Sequence, residues 1–431
     1  MVSSIVPALP SGRGTRSLPR RFAAGRSKLG CVANTEAAAP YPWAPASATG
    51  VGSMPGTDPA EAMRIILGEL PDLPHLAELP GRGAGADLTG RTAALLVEMP
   101  VELTPTGWRF AGRPGRDLRR ARDLLSSDLD TLEEYAGGYT GPLKVQAAGP
   151  WTLAATIELT RTQERALTDR GAMADLTGSL GEGLRAHLDQ IAKRVPGATI
   201  LLQLDEPALP GVLAGALRSA SGLRRLEPPE AHEAENRLAA VLAAAGVFSI
   251  VHCCALSVPF GIIRGAGADA VSFDLAQLGQ GGEDALAETV EAGLGILAGA
   301  VPATPEPGRG QPGSGRAGRA DGQDGGGRGA GGQRGRPETG GPAAAGPDGN
   351  SRGGGQAAAR GTAERVIGLW RRMGWPAGGK PGLAAGPAGL PGQVVLTPAC
   401  GLAGAPPGYP KDALARCRDA ARLLPELIEE G

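Results

Sequence analysis

The sequence is poor in aromatic residues, in net charge and in long apolar runs, and each shortage excludes a class of protein. Aromatic residues make up only 3% of the 431 residues, so a packed core must be built from Leu, Val, Ile and Ala. The 43 basic residues balance 44 acidic ones, which gives no general reason to bind nucleic acid or an anionic membrane. No apolar run approaches the roughly 18 residues of a transmembrane helix, so we expect no membrane partner.

Cysteine and histidine are also scarce, and their pattern argues against a disulfide framework. The chain has five cysteines, an odd number, spread irregularly along its length. This usage favours a reducing compartment such as the cytoplasm, where thiols stay available for metal binding or chemistry. Two of these cysteines stand beside one of only four histidines in the sequence VHCCA (251–255). That stretch is either a buried, inert strand end or part of a metal site.

Glycine and proline are abundant instead, with 70 and 38 residues, and two segments concentrate them. Residues 1–46 carry six basic residues and no acid before Glu36, which indicates a disordered extension, a mis-assigned start or a transit-type leader. Residues 303–360 have almost no large apolar residue, so burial cannot offset the entropy of ordering them. We therefore predict one folded domain over 47–431, interrupted at 303–360 by a disordered loop insertion.

Between these segments, strand-like and helix-like patterns alternate. Continuous apolar runs of strand length are typical of parallel strands buried on both faces. They predict strands at 48–54, 74–79, 143–149, 199–206, 247–254, 270–275, 295–301 and 394–400. Periodic apolar stripes predict helices at 59–70, 116–136, 173–195, 233–246, 362–374 and 410–430.

Eight buried strands, each followed by helix, predict an α/β protein with a (β/α)8 TIM barrel. A doubly wound open sheet is the main alternative, because counting strands from one sequence is error-prone. The longer stretch 80–142 is predicted to be a barrel loop that carries an extra hairpin at 101–112, with Asp87 as a helix N-cap.

Several of the predicted strands end in residues that can bind a metal. In a TIM barrel, functional side chains gather at the C-terminal ends of the strands. Asp205 ends the fourth strand, Asp274 the sixth and Cys400 the eighth, while His252 and Cys254 end the fifth. The last two point the same way, because side chains at i and i+2 share a face of a strand. One imidazole and two thiolates suit Zn²⁺, and Asp274 can add an oxygen ligand.

Six segments, in order along the chain, resemble the C-terminal catalytic barrel of the cobalamin-independent methionine synthases. The segments are TGVGSMPGT (49–57), GPWTLA (149–154), LQLDEPAL (202–209), HCC (252–254), ADAVSFD (268–274) and TPACGL (397–402). The similarity covers roughly residues 48–302 and 361–428 of the chain. It implies a zinc enzyme that transfers a methyl group from 5-methyltetrahydrofolate to homocysteine and gives methionine.

The resemblance also implies roles for individual residues. His252, Cys254 and Cys400 match the zinc ligands of the family. Asp274 stands where the family usually has Glu, and Asp is one methylene shorter, which leaves its role as a ligand less secure.

The same resemblance assigns four residues to the amino-acid substrate. Asp205 matches the carboxylate that holds the ammonium group of homocysteine. Ser53 and the backbone of Gly52 match the turn that holds its carboxylate. Glu78 lies close in sequence to the position of a second substrate-binding carboxylate in the family, although the surrounding sequence aligns poorly.

Two other functions stay open from the sequence. The first is a thiol methyltransferase that takes its methyl group from a corrinoid protein. The second is a metal-free barrel that serves as a binding or regulatory protein, which the Asp at 274 favours.

Overall fold

A computed structural model describes residues 41–305, 350–375 and 389–430. Within these residues, eight strands form two sheets, and every bound lies close to a predicted one. The strands are β1 (Val101–Thr104), β2 (Gly107–Phe110), β3 (Pro142–Ala148), β4 (Thr199–Asp205), β5 (Phe248–Cys253), β6 (Ala270–Asp274), β7 (Gly295–Val301) and β8 (Val394–Pro398). Strands β3 to β8 form a curled parallel sheet in chain order, and β1 and β2 form the predicted antiparallel hairpin. The α/β class with a parallel sheet is thus confirmed.

The first two predicted strands are present only as isolated parallel bridges. Ala48 bridges to Leu396 of β8, Ser53 bridges to Glu78, and His75 bridges to Lys144 of β3. The regular parallel sheet of the described residues therefore has six strands rather than the predicted eight. Glycine and proline interrupt both segments, at 50, 52 and 74 among other positions, and these residues weaken a regular ladder of hydrogen bonds.

Helices cover the outside of the sheet and connect its strands. They are α1 (Pro59–Glu69), α2 (Leu88–Ala93), α3 (Arg116–Ala136), α4 (Pro150–Thr156), α5 (Arg170–Arg194), α6 (Leu209–Leu213), α7 (Ala231–Ala245), α8 (Phe260–Gly265), α9 (Gln280–Glu291), α10 (Asn350–Arg372), α11 (Gly389–Gln393) and α12 (Tyr409–Glu430). The carboxylates of Asp58, Asp87 and Asp169 accept backbone N–H bonds at the starts of α1, α2 and α5. None of the helices in the described ranges combines the length and the apolar character that crossing a bilayer requires.

The core has two parts, one on each face of the sheet. A large aliphatic cluster lies between the sheet and the helices, as the scarcity of aromatic residues predicts. A smaller cluster on the inner face joins Tyr41 and Trp43 to residues of the strands, among them Leu201 and Ile250. The Trp43 Nε1 donates a hydrogen bond to the Gly392 carbonyl at 3.1 Å. The folded domain therefore begins before residue 47, earlier than predicted, and residues 1–40 lie outside the described residues.

The predicted disordered insertion at 303–360 is wrong for its last residues. Helix α10 begins at Asn350, Ala359 is fully buried against the main core, and Arg360 pairs with Glu430 at 2.7 Å. The alanine-rich sequence QAAARGTAERV favours helix and extends α10 towards the N-terminus of the predicted start at residue 362. The composition of the whole segment does not reveal this, because glycines precede these alanines. The rest of the predicted insertion, 306–349, lies outside the described residues.

Two deletions should show how much 306–349 and the first turns of α10 each contribute to stability. Replacing 306–349 with a short Gly/Ser linker should change the midpoint of thermal unfolding little, because its composition offers almost no core. Deleting 303–360 also removes the buried Ala359 and the Arg360 ion pairs, and should lower that midpoint by roughly 3 °C. Equal midpoints for the two variants, measured by circular dichroism, would show that the first turns of α10 contribute nothing to stability.

Candidate metal centre and its surroundings

Strand β5 and the turn after β8 bring together three residues that can bind a metal. One ligand atom from each of His252, Cys254 and Cys400 lies within 4.8 Å of the other two. The two Sγ atoms are 3.0 Å apart. His252 is buried and the cysteines are half-buried, so the group opens towards the rim of the sheet. Cys253 lies between His252 and Cys254 in sequence, but its side chain is on the opposite face of the strand and is fully buried, as the alternation of side chains requires.

The His252 imidazole is oriented for metal binding by β6. Its Nδ1 lies 2.8 Å from the Ser272 Oγ, and Ser272 is the cross-strand partner of His252 in the parallel ladder. Its Nε2 is buried and makes no hydrogen bond of regular geometry, although the imidazole acts on the nearby Cys400 sulfur. A bound cation would satisfy this nitrogen. One imidazole nitrogen and two sulfurs fit Zn²⁺, with a coordination position left for an incoming ligand.

Removing the hydroxyl that holds this imidazole should weaken zinc binding without removing a ligand. In a Ser272→Ala variant, we expect zinc affinity to fall roughly 10- to 100-fold, because a partner that orients a ligating histidine has an effect of this size. Ser249→Ala is the matched control, because the Ser249 hydroxyl donates to Asp269 instead. Competition with a chromophoric chelator measures both affinities, and equal affinities would contradict the role of Ser272.

The two sulfurs shift each other's pKa in opposite directions. A hydrogen bond from the Cys254 thiol, with a further contribution from His252, lowers the pKa of Cys400 to about 4. The pKa of Cys254 is raised, because this thiol holds the proton beside the Cys400 sulfur and is partly buried. Cys400 is therefore the more acidic thiol of the pair, and thiolates are the form in which cysteine binds metals.

Asp274, the fourth predicted ligand, lies at the end of β6 and makes a different contact. Its Oδ1 accepts a hydrogen bond from the Ala276 N–H at 2.8 Å and so caps the 3-10 turn Leu275–Gln277. Burial raises the pKa of this carboxyl, and the Cys400 charge adds to the increase. Asp274 is not among the three residues whose ligand atoms lie together, and its ligation of a metal stays a prediction.

The residues predicted to bind the amino acid lie on the same rim. Leu402 N–H donates to the Ser53 carbonyl at 2.8 Å, and a Cβ added at Gly401 would lie 2.1 Å from the Ser53 Oγ. Ser53 therefore packs against the turn that carries Cys400. Asp205 is the cross-strand partner of His252. The structure thus brings the predicted ammonium-binding and carboxylate-binding residues next to the metal group.

Gly52 and Glu78 lie in the first two predicted strand segments and are packed against each other. The Glu78 N–H donates to the Gly52 carbonyl at 3.3 Å. A Cβ at Gly52 would lie 3.1 Å from the Glu78 Oε2 and 3.2 Å from the Gln146 side chain. A larger residue at position 52 would therefore displace the Glu78 carboxylate, which explains a glycine at this position.

Beneath these carboxylates lies a polar layer that the sequence analysis missed. Lys144 of β3 is fully buried, and its Nζ donates to the Val51 carbonyl at 2.9 Å. Gln203 of β4 donates from one amide nitrogen to the same carbonyl at 2.9 Å and to the Asp205 Oδ1 at 2.7 Å. The signal in the sequence was a lysine inside the apolar run LKVQAAG, since lysine is almost never fully buried without a partner.

Burial sets the charge balance of this layer. It raises the pKa of Asp205 well above its ordinary value, with a smaller contribution from Glu78, while Lys144 opposes the increase. The pKa of Lys144 falls to about 7, again through burial, and the two carboxylates counteract that fall. Desolvation also raises the pKa of Glu78, against the attraction of Arg91 at 3.4 Å. The carboxylates and the ammonium group therefore depend on one another for their charges.

Comparisons with known proteins support the fold. No protein-family profile matches the sequence, and no curated protein sequence matches it either. Among solved structures, a B12-independent methionine synthase from Shewanella sp. W3-18-1, in complex with selenomethionine, aligns over 90% of this chain and 100% of its own. The TM-score is 0.53 and the sequence identity is 11%.

A second solved structure is less similar. A candidate lyase or mutase from Burkholderia cenocepacia J2315 aligns over 62% of this chain and 71% of its own, at 13% identity. Its TM-score of 0.28 is too low to carry an argument. The first comparison shows that this chain shares the α/β fold of that solved structure, and at 11% identity it shows the fold alone.

Proposed function

We propose that this protein is a zinc-dependent methyltransferase that moves a methyl group from 5-methyltetrahydrofolate to the thiolate of homocysteine and gives methionine. The observation that carries the proposal is the group formed by His252, Cys254 and Cys400, whose ligand atoms lie within 4.8 Å of one another. In this group the buried His252 Nε2 makes no regular hydrogen bond. The same rim holds Ser53 and Asp205, which suit an amino acid that carries a thiol.

We also infer that the sheet closes into a full (β/α)8 barrel. The isolated bridges support this, because they connect β8 to the segment at Ala48, that segment to Glu78, and the segment at His75 to β3. A closed barrel places the ends of all its strands around one mouth, which is where the metal group and the two carboxylates lie.

Recognition of homocysteine requires an anion for its ammonium group and hydrogen-bond donors for its carboxylate. An ammonium group needs an anion, and the buried carboxylates of Asp205 and Glu78 supply it. A carboxylate needs hydrogen-bond donors, which the Ser53 hydroxyl and nearby backbone N–H groups provide. The methionine synthase of similar fold was solved with selenomethionine, an amino acid of the size that this rim would hold.

Zinc held by His252, Cys254 and Cys400 would keep the sulfur of homocysteine deprotonated at neutral pH. The residues of the rim fix the amino-acid end of the substrate, so that the sulfur is directed at the methyl donor. In the transfer, a bond forms between sulfur and the methyl carbon as the bond from that carbon to N5 of the folate breaks, and the nitrogen takes up a proton. The contribution of Ser53, Asp205 and Glu78 is then proximity and orientation.

A steady-state assay with two methyl donors tests the proposal. Zinc-loaded protein and homocysteine are incubated with 5-methyltetrahydrofolate or with methylcobalamin, and methionine is quantified by chromatography. We expect methionine from the folate donor. Methionine from methylcobalamin alone would assign a corrinoid donor instead. No methionine from either donor, together with no bound zinc, would point to a non-catalytic barrel.

A further inference from the structure

We propose that Lys144 is a positioning residue that holds the amino-acid-binding rim together from below, through contacts to the segments that carry Ser53, Glu78 and Asp205. The inference rests on the proposed function, because it assigns that rim to the ammonium and carboxylate groups of an amino acid. No motif in the sequence assigns Lys144 a role.

The first connection runs through the Val51 carbonyl. This oxygen accepts hydrogen bonds from the Lys144 Nζ and from the Gln203 side chain, each at 2.9 Å. Val51 precedes Ser53 by two residues, and Gln203 also donates to the Asp205 Oδ1 at 2.7 Å. A single carbonyl therefore links the ammonium group to the segment of Ser53 and, through one amide, to the carboxylate of Asp205.

The second connection runs through Gln146, the next inward-facing residue of β3. With its amide oriented to satisfy both neighbours, its oxygen accepts from the Lys144 Nζ at 2.9 Å and its nitrogen donates to the Leu76 carbonyl at 3.2 Å. Leu76 precedes Glu78 by two residues, and the Gln146 side chain also packs beside Gly52. Lys144 thus reaches the segment of Glu78 by one further amide.

Charge adds to these geometric connections. Arg91 of α2 faces Glu78 but also pairs with Asp128 of α3 at 2.6 Å, so that cation is shared. Lys144 is the cation whose charge acts on the buried Asp205 carboxyl. Among the other groups beside the lysine, burial and the Lys144 charge lower the pKa of His75 to about 3, so this imidazole is neutral. Lys144 is therefore the cation that serves Asp205 most directly.

A purely structural role accounts poorly for a lysine here. Burying an ammonium group is costly, and an apolar side chain of similar length would fill the same space. Replacement by methionine keeps that volume but leaves Asp205 and Glu78 buried without their cation, so it should lower stability while the chain still folds. What it removes is the donor shared by Val51 and Gln146, and the positive charge beside the two carboxylates.

The test is a Lys144→Met variant, with Lys193→Met at an exposed site as the matched control. We expect zinc content to be preserved, the midpoint of thermal unfolding to fall, KM for homocysteine to rise roughly 30-fold, and kcat to change by less than about 3-fold.

A second substrate and a second variant make the outcome specific. The analogue 4-mercaptobutyrate lacks the ammonium group but keeps the carboxylate, so Lys144→Met should lose less with it than with homocysteine. An equal loss with both thiols, or an unchanged KM for homocysteine, would overturn the role of Lys144. If Lys144→Met fails to fold, Gln203→Leu breaks the link from Val51 to Asp205, and an unchanged KM there would overturn it too. Absence of activity in the unaltered, zinc-loaded protein would instead contradict the proposed function.

Discussion

Bound zinc and methionine formation are expected to disappear together in Cys400→Ser and His252→Ala variants, while the fold survives. A hydroxyl replaces a thiolate poorly at a zinc site, and loss of the imidazole leaves two sulfurs that cannot hold the ion alone. We expect less than about one tenth of the zinc of the unaltered protein, and turnover below about 1% of its value. Elemental analysis, thermal unfolding and the methionine assay measure the three quantities on the same preparations.

The fold should survive because these side chains lie at the rim. Cys400 is half-buried in a turn after β8, and neither it nor His252 belongs to the two apolar clusters. Cys253→Ala is the matched control, since this thiol is fully buried and burial raises its pKa to about 11. It should retain zinc and turnover. Activity of the Cys400→Ser variant in metal-free buffer would contradict the zinc mechanism.

The second large effect is expected at Asp205. An Asp205→Asn variant keeps the shape of the side chain but loses the charge that would bind an ammonium group. We expect kcat/KM for homocysteine to fall roughly 100-fold, with zinc content unchanged, because a buried charged hydrogen bond is lost. Asp269→Asn is the control, since Asp269 lies just before β6 and accepts hydrogen bonds from Ser249 instead.

The prediction for Asp205 also fixes the direction in which kcat/KM changes with pH. Burial raises the pKa of Asp205, and the carboxylate must be ionised to hold the substrate ammonium. The kcat/KM of the unaltered protein should therefore fall as pH decreases through this raised pKa, at a higher pH than an ordinary aspartate would give. The Asn variant should lack that acid limb. A variant with the same limb would show that another group titrates there.

The local pattern of the sequence predicts much of this fold. Helix α3 has the predicted bounds, 116–136, because its leucines repeat at helical spacing among charged residues. The strands β3 to β8 follow continuous apolar runs, which parallel strands buried on both faces require. His252 and Cys254 lie on the same face because side chains alternate along a strand. Cys400 lies near them because β5 and β8 belong to one curled parallel sheet, whose strands all end at the same edge.

Other features depend on contacts that are distant along the chain. Trp43 packs against strands more than 150 residues away, so composition alone assigned its segment to the extension. Lys144 and Gln203 acquire partners only when β3, β4 and the segment at Val51 are side by side. The Asp274 carboxylate caps the turn after β6, and this local contact competes with metal binding. Its position at the end of a predicted strand does not reveal that contact.

The most direct test of the account is a cobalt titration of the metal-free protein, with and without homocysteine. The account predicts about one Co²⁺ per chain in a tetrahedral site, with charge-transfer absorption from two sulfurs that strengthens when homocysteine adds a third. Binding of less than about half an ion per chain, or a cobalt spectrum that homocysteine leaves unchanged, would contradict it.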